Sequence, residues 1–168
     1  MKKIVLATGM PALESIFTHQ RFAAEYNVLS TIQKRDDVLS TLEAYRGKID
    51  IIMITDALPG NGLMLKLLVQ IKRKNPDLRV IYLTADVRPN DEKRINNLGL
   101  LVMMEIFDIV TSSTLSPKLV YQTLKQPATE ENVSWISSFM DKQEHHTSKA
   151  SISVSIEEQA EQTEEIKG

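Results

Sequence analysis

Four short apolar runs in this chain each end in hydroxyl or carboxyl residues: Thr8 with Gly9, Thr55 with Asp56, Thr84 with Ala85 and Asp86, and Thr111 with Ser112 and Ser113. Brought together, these ends would make a group of hydroxyls around two carboxylates. A hydroxyl nucleophile needs a base beside it, and no histidine ends any of the runs. His19 stands alone, and His145 and His146 are adjacent near the far end. A metal ion needs converging carboxylates or imidazoles, yet no acidic residue follows the first run. The chain has 168 residues and no cysteine, which excludes thiolate ligands, cysteine nucleophiles and disulfides. A phosphate cradle needs a glycine-rich turn into a helix, and Thr8-Gly9-Met10-Pro11 offers one glycine and no basic residue. Pro59-Gly60-Asn61-Gly62 reads as a turn. The expectation is therefore no enzyme, no metal and no cofactor.

The elements that position these residues alternate along residues 1–127. Strand-like runs are expected at Lys3–Ala7, Tyr26–Ile32, Ile49–Thr55, Leu78–Thr84 and Ile106–Thr111. Helical patterns fill the gaps, from Pro11 to about Ala24, Asp36 to Tyr45, Gly62 to Arg73 and Asn90 to about Met104. A fifth helix starts at Ser116-Pro117, where Ser caps and Pro suits the first helical position, and it ends near Gln126-Pro127. The third strand is apolar almost throughout, as a strand covered on both faces should be. Five strand–helix units of this size require parallel pairing through right-handed crossovers. The fold class is thus α/β, a doubly wound five-stranded parallel sheet, with its ligand site at the carboxyl ends of the strands.

Charge divides the chain. Residues 1–127 hold 17 basic and 13 acidic side chains, a net of +4; residues 128–168 hold 3 and 9, a net of −6. From Gln143 onward only Ile152, Val154, Ile156 and Ile166 recur as sizeable apolar groups, too few to offset the entropy of ordering. The expected organisation is a domain at 1–127, a short possible helix at 128–142 carrying Val133, Trp135, Ile136, Phe139 and Met140, and a disordered acidic tail at 143–168. That helix either packs back on the domain or binds a partner. The longest apolar stretch, Leu98–Met104, is too short to cross a bilayer, and the apolar start breaks at Thr8-Gly9 without a cleavage-like site. The reading is a cytoplasmic protein with no membrane partner. A nucleic-acid surface would rest on Lys72, Arg73, Lys74, Arg79, Arg88, Lys93 and Arg94. The basic excess is small, aromatic residues for stacking are scarce, and the acidic tail would compete, which disfavours it.

At the third strand the residues become specific. Asp50-Ile51-Ile52-Met53-Ile54-Thr55-Asp56-Ala57-Leu58-Pro59-Gly60-Asn61-Gly62 resembles the central motif of response-regulator receiver domains, and Leu78–Ala85 resembles that family's fourth strand. The resemblance covers about residues 2–126 and implies a flavodoxin/CheY-like sheet of order 2-1-3-4-5, in bacterial signal transduction. It also implies that the site is degenerate. The phospho-acceptor position falls on Thr55, with Asp56 one residue on, and the metal-holding acidic pair falls on Thr8-Gly9. The strand-five lysine position is Ser112 and the aromatic switch position is Ile109; only Thr84-Ala85 is retained. Each charge that phosphoryl chemistry uses is missing, so the chain resembles a pseudo-receiver. Ile106-Phe107-Asp108-Ile109 also resembles a segment of receiver-like domains that precede ParA/MinD-type ATPases in pilus-assembly proteins.

The function expected is a non-catalytic, phosphorylation-independent protein-interaction or regulatory module. Its alternatives are a response regulator phosphorylated on Asp56, a small-ligand sensor at the strand ends and a DNA-associated regulator. In the fourth helix, Ile95, Leu98, Gly99, Val102 and Ile106 share the face expected on the sheet. Lys93, Asn97, Leu100 and Met104 line the opposite face, with Leu101 and Met103 between. A docking surface for a protein partner or a second copy is therefore expected at Leu100 and Met104, and the resemblance to receivers implies the helix-four, strand-five, helix-five face, which adds Tyr121. If Gly99 ended the helix early, Leu100–Met104 would be core instead.

Overall fold

The computed structural model describes residues 1–139; the expected disordered tail at 143–168, and Met140 with the end of the 128–142 segment, lie outside the described residues. Five strands, β1 (Lys2–Ala7), β2 (Tyr26–Thr31), β3 (Ile51–Thr55), β4 (Arg79–Thr84) and β5 (Asp108–Thr111), form one sheet. Every pairing is parallel and the order is β2-β1-β3-β4-β5, the flavodoxin/CheY-like order expected.

Strand periodicity sorts the core into two layers. Val5, Ala7, Ile52, Ile54, Val80 and Tyr82 face one layer; Ile4, Leu6, Ile51, Met53, Ile81 and Leu83 face the other. The first layer is closed by α3 (Val38–Ala44), α4 (Met64–Lys74) and α5 (Glu92–Met103), the second by α1 (Pro11–Ile16), α2 (Gln20–Ala23) and α6 (Pro117–Lys125).

Several boundaries differ from the sequence reading: β3 starts at Ile51 rather than Ile49, and α4 and α5 start at Met64 and Glu92 rather than Gly62 and Asn90. The helix expected from Pro11 to Ala24 is two helices, because Phe17–His19 close α1 with short-range turns and His19 is extended. The second expected helix starts as a 3-10 turn, Arg35–Asp37, before α3. The last strand starts at Asp108, two residues later than expected, because Leu101–Ile106 are used to end α5. There the N–H of Ile106 bonds to the Leu101 carbonyl at 3.0 Å and that of Glu105 to Val102 at 2.9 Å, a Schellman ending. Leu101 and Ile106 are buried together and Glu105 takes the left-handed conformation, φ 62°. Gly99 therefore does not end the helix.

Below the sheet, at the amino ends of β4 and β5, Arg79 donates to both Asp108 oxygens at 2.9 Å and to the carbonyls of Thr123 and Leu124. Asp108 also accepts the Ala128 N–H at 2.9 Å. The chain crosses beneath the sheet here and delivers buried Val133 and Ile136 to the first layer, with Trp135 packed against it.

Candidate functional site

The carboxyl ends of β1, β3, β4 and β5 meet in an open depression of about 350 Å³, lined by Met10, Leu13, Ile16, Thr55, Asp56, Leu83, Thr84, Ser112, Ser113 and Leu115, among others. The hydroxyl cluster expected there exists, but most of its hydroxyls are bonded within the protein. Thr55 is 3% exposed; its hydroxyl donates to the Thr8 carbonyl at 2.6 Å and accepts the Ala57 N–H at 3.0 Å. Thr8 donates to Glu14 at 3.1 Å and accepts the Met10 N–H at 3.2 Å. Ser112 bonds the backbone of Thr114 in both directions, and Ser113 accepts the Asp86 N–H at 3.1 Å.

Gly9 shows why the β1 end carries no acid. Its φ is +63°, and a Cβ there would lie 2.6 Å from the Ala57 carbonyl oxygen and 2.8 Å from the Leu58 Cα. The loop after β3 is pressed onto this glycine, and Arg35 holds it down. The Arg35 guanidinium donates to the carbonyls of Asp56, Leu58 and Gly62 at 2.7–2.9 Å. Asp36 accepts from the Asn61 N–H at 2.9 Å and the Asn61 amide at 3.1 Å. These bonds, the Asn61 N–H first, hold the Asp36 carboxyl below its ordinary value.

Asp56 does not follow Thr55 into the β1 end. It is exposed, and its two oxygens accept the hydroxyls of Tyr82 and Thr84. Strand alternation accounts for this: Tyr82 belongs with the first layer, whereas Thr55 turns to Thr8. Burial, then the Asp56 carboxylate, raises the Tyr82 hydroxyl above its ordinary value. Arg94 completes the group, donating to the Thr84 hydroxyl at 3.1 Å and to the carbonyls of Ala85 and Asp86.

Tyr82 and Arg35 were not singled out from the sequence, and Arg94 was named only among the basic residues considered for nucleic acid. Tyr82 had a usable signal, since it stands two residues before Thr84 on the same strand face. Arg35 had none, because its partners are backbone carbonyls 21 to 27 residues away.

The magnesium that receiver folds imply does not fit these residues. Magnesium takes oxygen ligands in near-octahedral geometry around one or two carboxylates. Among the described residues no three His, Asp or Glu side chains converge, Thr55 has no charge, and the space beside Gly9 is filled by backbone.

Two other sequence groupings come apart. Tyr121 does not join Leu100 and Met104. Its ring packs on Phe22 with centroids 5.5 Å apart, Arg21 lies 3.8 Å above it, and its hydroxyl donates to Glu25 at 2.6 Å. It belongs with the second layer, on the α2 side of α6. On α5, Leu100 is 38% and Met103 77% exposed, while Leu101 is buried and Met104 turns partly into the core after the helix ends. The sheet-facing side is centred nearer Leu98 and Leu101 than the expected stripe. The basic residues considered for nucleic acid also divide: Arg79 is bound to Asp108, Arg94 to the β4 end, and Lys72–Lys74 close α4 at the opposite end of the sheet.

No protein-family model matches the chain, and no curated protein matches it. Solved structures do. The RcsB response regulator of Salmonella typhimurium, in a structure on its conformational dynamism for DNA interaction, matches with TM-score 0.60 and 22% identity over 81% of this chain and 68% of that one. The isolated REC domain of RcsB from Salmonella enterica serovar Typhimurium, with phosphomimetic BeF3−, matches with TM-score 0.57 and 19% identity over 80% and 97%. A response regulator receiver domain protein from Clostridium thermocellum matches with TM-score 0.56 and 16% identity over 86% and 98%. The architecture of this chain is that of a response-regulator receiver domain.

Proposed function

We propose that this chain is a pseudo-receiver, a non-catalytic module that uses the receiver fold to bind a protein partner without being phosphorylated. The supporting observation is the buried Thr55 hydroxyl tied to the Thr8 carbonyl, with Gly9 packed against the loop after β3. At the acceptor position and beside Gly9 there is a closed, uncharged strand end. The working surface under this reading is the outer side of α5, where Leu100 and Met103 are exposed; apolar side chains grouped in this way suit a protein contact. A cytoplasmic site of action fits the fold, and among the described residues no helix is long and apolar enough to cross a membrane.

A second reading is favoured by one observation. Asp56 is exposed and touches Thr84, the retained hydroxyl of the receiver motif, so a phosphorylatable Asp56 is its rival. Incubation with Mg²⁺ and acetyl phosphate, followed by mass spectrometry at neutral and acid pH, separates the two. The pseudo-receiver gives no adduct. An adduct that disappears in Asp56→Asn overturns it in favour of the rival. For the surface, Leu100→Ser with Met103→Ser should leave the thermal transition in place and weaken self-association in sedimentation. Unchanged association would remove α5 as the contact between copies.

A further inference from the structure

The turn Pro59-Gly60-Asn61-Gly62 carries a chemistry that no contact of the candidate site uses. Of the chain's asparagines, Asn61 alone is followed by glycine. A glycine nitrogen has no Cβ beside it, so it closes on the preceding side-chain amide with less crowding than any other residue allows. Asn61 and Gly62 are both exposed, and a Cβ on Gly62 would meet nothing within 4 Å. The Gly62 N–H has no hydrogen-bond partner among the described residues. The attacking nitrogen is thus open to solvent and to base, and its target is held one residue away.

The surroundings decide what such a reaction does. Asn61 is one half of a lock: its backbone N–H donates to Asp36 at 2.9 Å, and its side-chain amide donates to the other Asp36 oxygen at 3.1 Å. The fit is close, since a Cβ on Gly60 would lie 2.7 Å from the Arg35 nitrogen and 2.7 Å from an Asp36 oxygen. The Arg35 guanidinium is committed to the carbonyls of Asp56, Leu58 and Gly62. Lys34 and Asp37, on either side of Arg35 and Asp36, carry opposite charges. A second carboxylate at position 61 would stand against Asp36 with the amide donor between them gone, and two carboxylates in contact resist ionising together.

We propose that Asn61 is a self-modifying site, whose conversion to an acid releases the loop after β3 from the Arg35–Asp36 turn. The Gly62 nitrogen bonds to the Asn61 side-chain carbonyl carbon, the bond to the amide nitrogen breaks, and ammonia leaves with the proton that Gly62 gave up. Water then opens the cyclic imide, on either side, to aspartate or isoaspartate; no oxidant or metal is consumed. Both products set a carboxylate against Asp36. Isoaspartate also lengthens the backbone by one carbon, which shifts the Gly62 carbonyl from Arg35. The freed loop carries Ala57 and Leu58, which pack on Gly9, so the change opens the closed β1 end and does not reverse. It is independent of whether Asp56 accepts phosphate.

The full-length protein, held for days in mildly alkaline buffer at physiological temperature and mapped by peptide mass spectrometry, should convert Asn61 before any other asparagine. Amide exchange at Ala57 and Leu58, whose N–H groups now bond to Thr55, should then be faster by about tenfold, the order expected when a hydrogen bond to a charged group is lost. Asn61→Asp should reproduce the faster exchange without ageing. Asp36→Asn combined with Asn61→Asp trades the two partners, restores an amide opposite a carboxylate, and should return exchange to that of the fresh parent. Earlier conversion at another asparagine, or none at Asn61, overturns the site. Converted protein with unchanged exchange overturns the release. Fast exchange that persists in the double variant shows that the new charge is not its cause, and overturns it equally. The aged parent decides the question even where a variant does not fold.

Discussion

Asp108 and Asp56 stand at opposite ends of the sheet and teach different lessons about a carboxylate. Asp108 is buried, held by both arms of Arg79 and by the Ala128 N–H. Asp56 is exposed and held by two neutral hydroxyls. The first joins β4, β5, α6 and the segment that follows, so its charge is structural. The second ties the β3 end to β4 alone, and its charge remains accessible to solvent. A retained acid near a strand end is thus no measure of function until its partners are known.

The comparison breaks most sharply at Asp108. Asp108→Ala leaves the Arg79 guanidinium inside without its partner, and loss of one member of a buried pair costs about 3–5 kcal/mol. Urea unfolding should show this as a large fall in midpoint. A change under 1 kcal/mol would mean that water reaches Arg79 and that the two carboxylates are alike.

At the other end, Gly9→Ala should cost about 2–3 kcal/mol, since the new Cβ meets the Ala57 carbonyl from a left-handed backbone. The same measurement tests whether the β1 end is sealed. If the variant is as stable as the parent, the loop after β3 yields, and the space there is real.

Asp56→Asn should cost only about 1 kcal/mol, because an amide still offers an acceptor to one of the two hydroxyls. A loss near that of Asp108→Ala would move Asp56 into the structural class.

Glu25 sharpens the contrast from a half-buried position. Its carboxyl accepts from Lys125 at 2.7 Å and Tyr121 at 2.6 Å, and these bonds, Lys125 first, hold its pKa below the ordinary value. A carboxyl lowered on folding adds stability that is fully present above its unfolded pKa and lost as pH falls through the folded one. Glu25→Gln should therefore lower the thermal midpoint slightly at pH 7, and the difference should shrink once pH falls below the ordinary glutamate range and close as it passes through the lowered folded value. A difference that persists at low pH would point to packing rather than charge. Smallest of all, Glu105→Gly should raise stability by about 0.5–1 kcal/mol by relieving the left-handed backbone at the end of α5.

Much of the architecture was legible because it rests on local periodicity. Ile49–Thr55 reads as a doubly covered strand from composition alone, and all five residues of β3 within it are buried; Ser116-Pro117 marks the start of α6 through a cap seen in the structure, Ser116 accepting the Leu119 N–H at 3.1 Å. The site was legible only as a set of residue types. Thr8, Thr55, Thr84 and Ser112 do gather at one end of the sheet, yet the sequence gives no indication that Thr55 and Asp56 part company. Tyr121 was misplaced because a helix position fixes an angle around the axis and leaves open which neighbour fills it; Phe22 and Glu25, far away in sequence, decided that.

The alternation of apolar runs with helical patterns by itself determined five parallel strands in two covered layers, since each element needs only its own residues to choose a period. Tertiary structure alone decided that the β1 end is sealed by Gly9 and the loop after β3, that Arg35 clamps that loop, and that Asp56 turns to Tyr82 and Thr84. The physical reason is range: the bonds from Thr55 to Thr8, Tyr82 to Asp56 and Arg35 to Leu58 join residues 47, 26 and 23 positions apart. No local pattern encodes such partners; they meet only once the sheet has set its register.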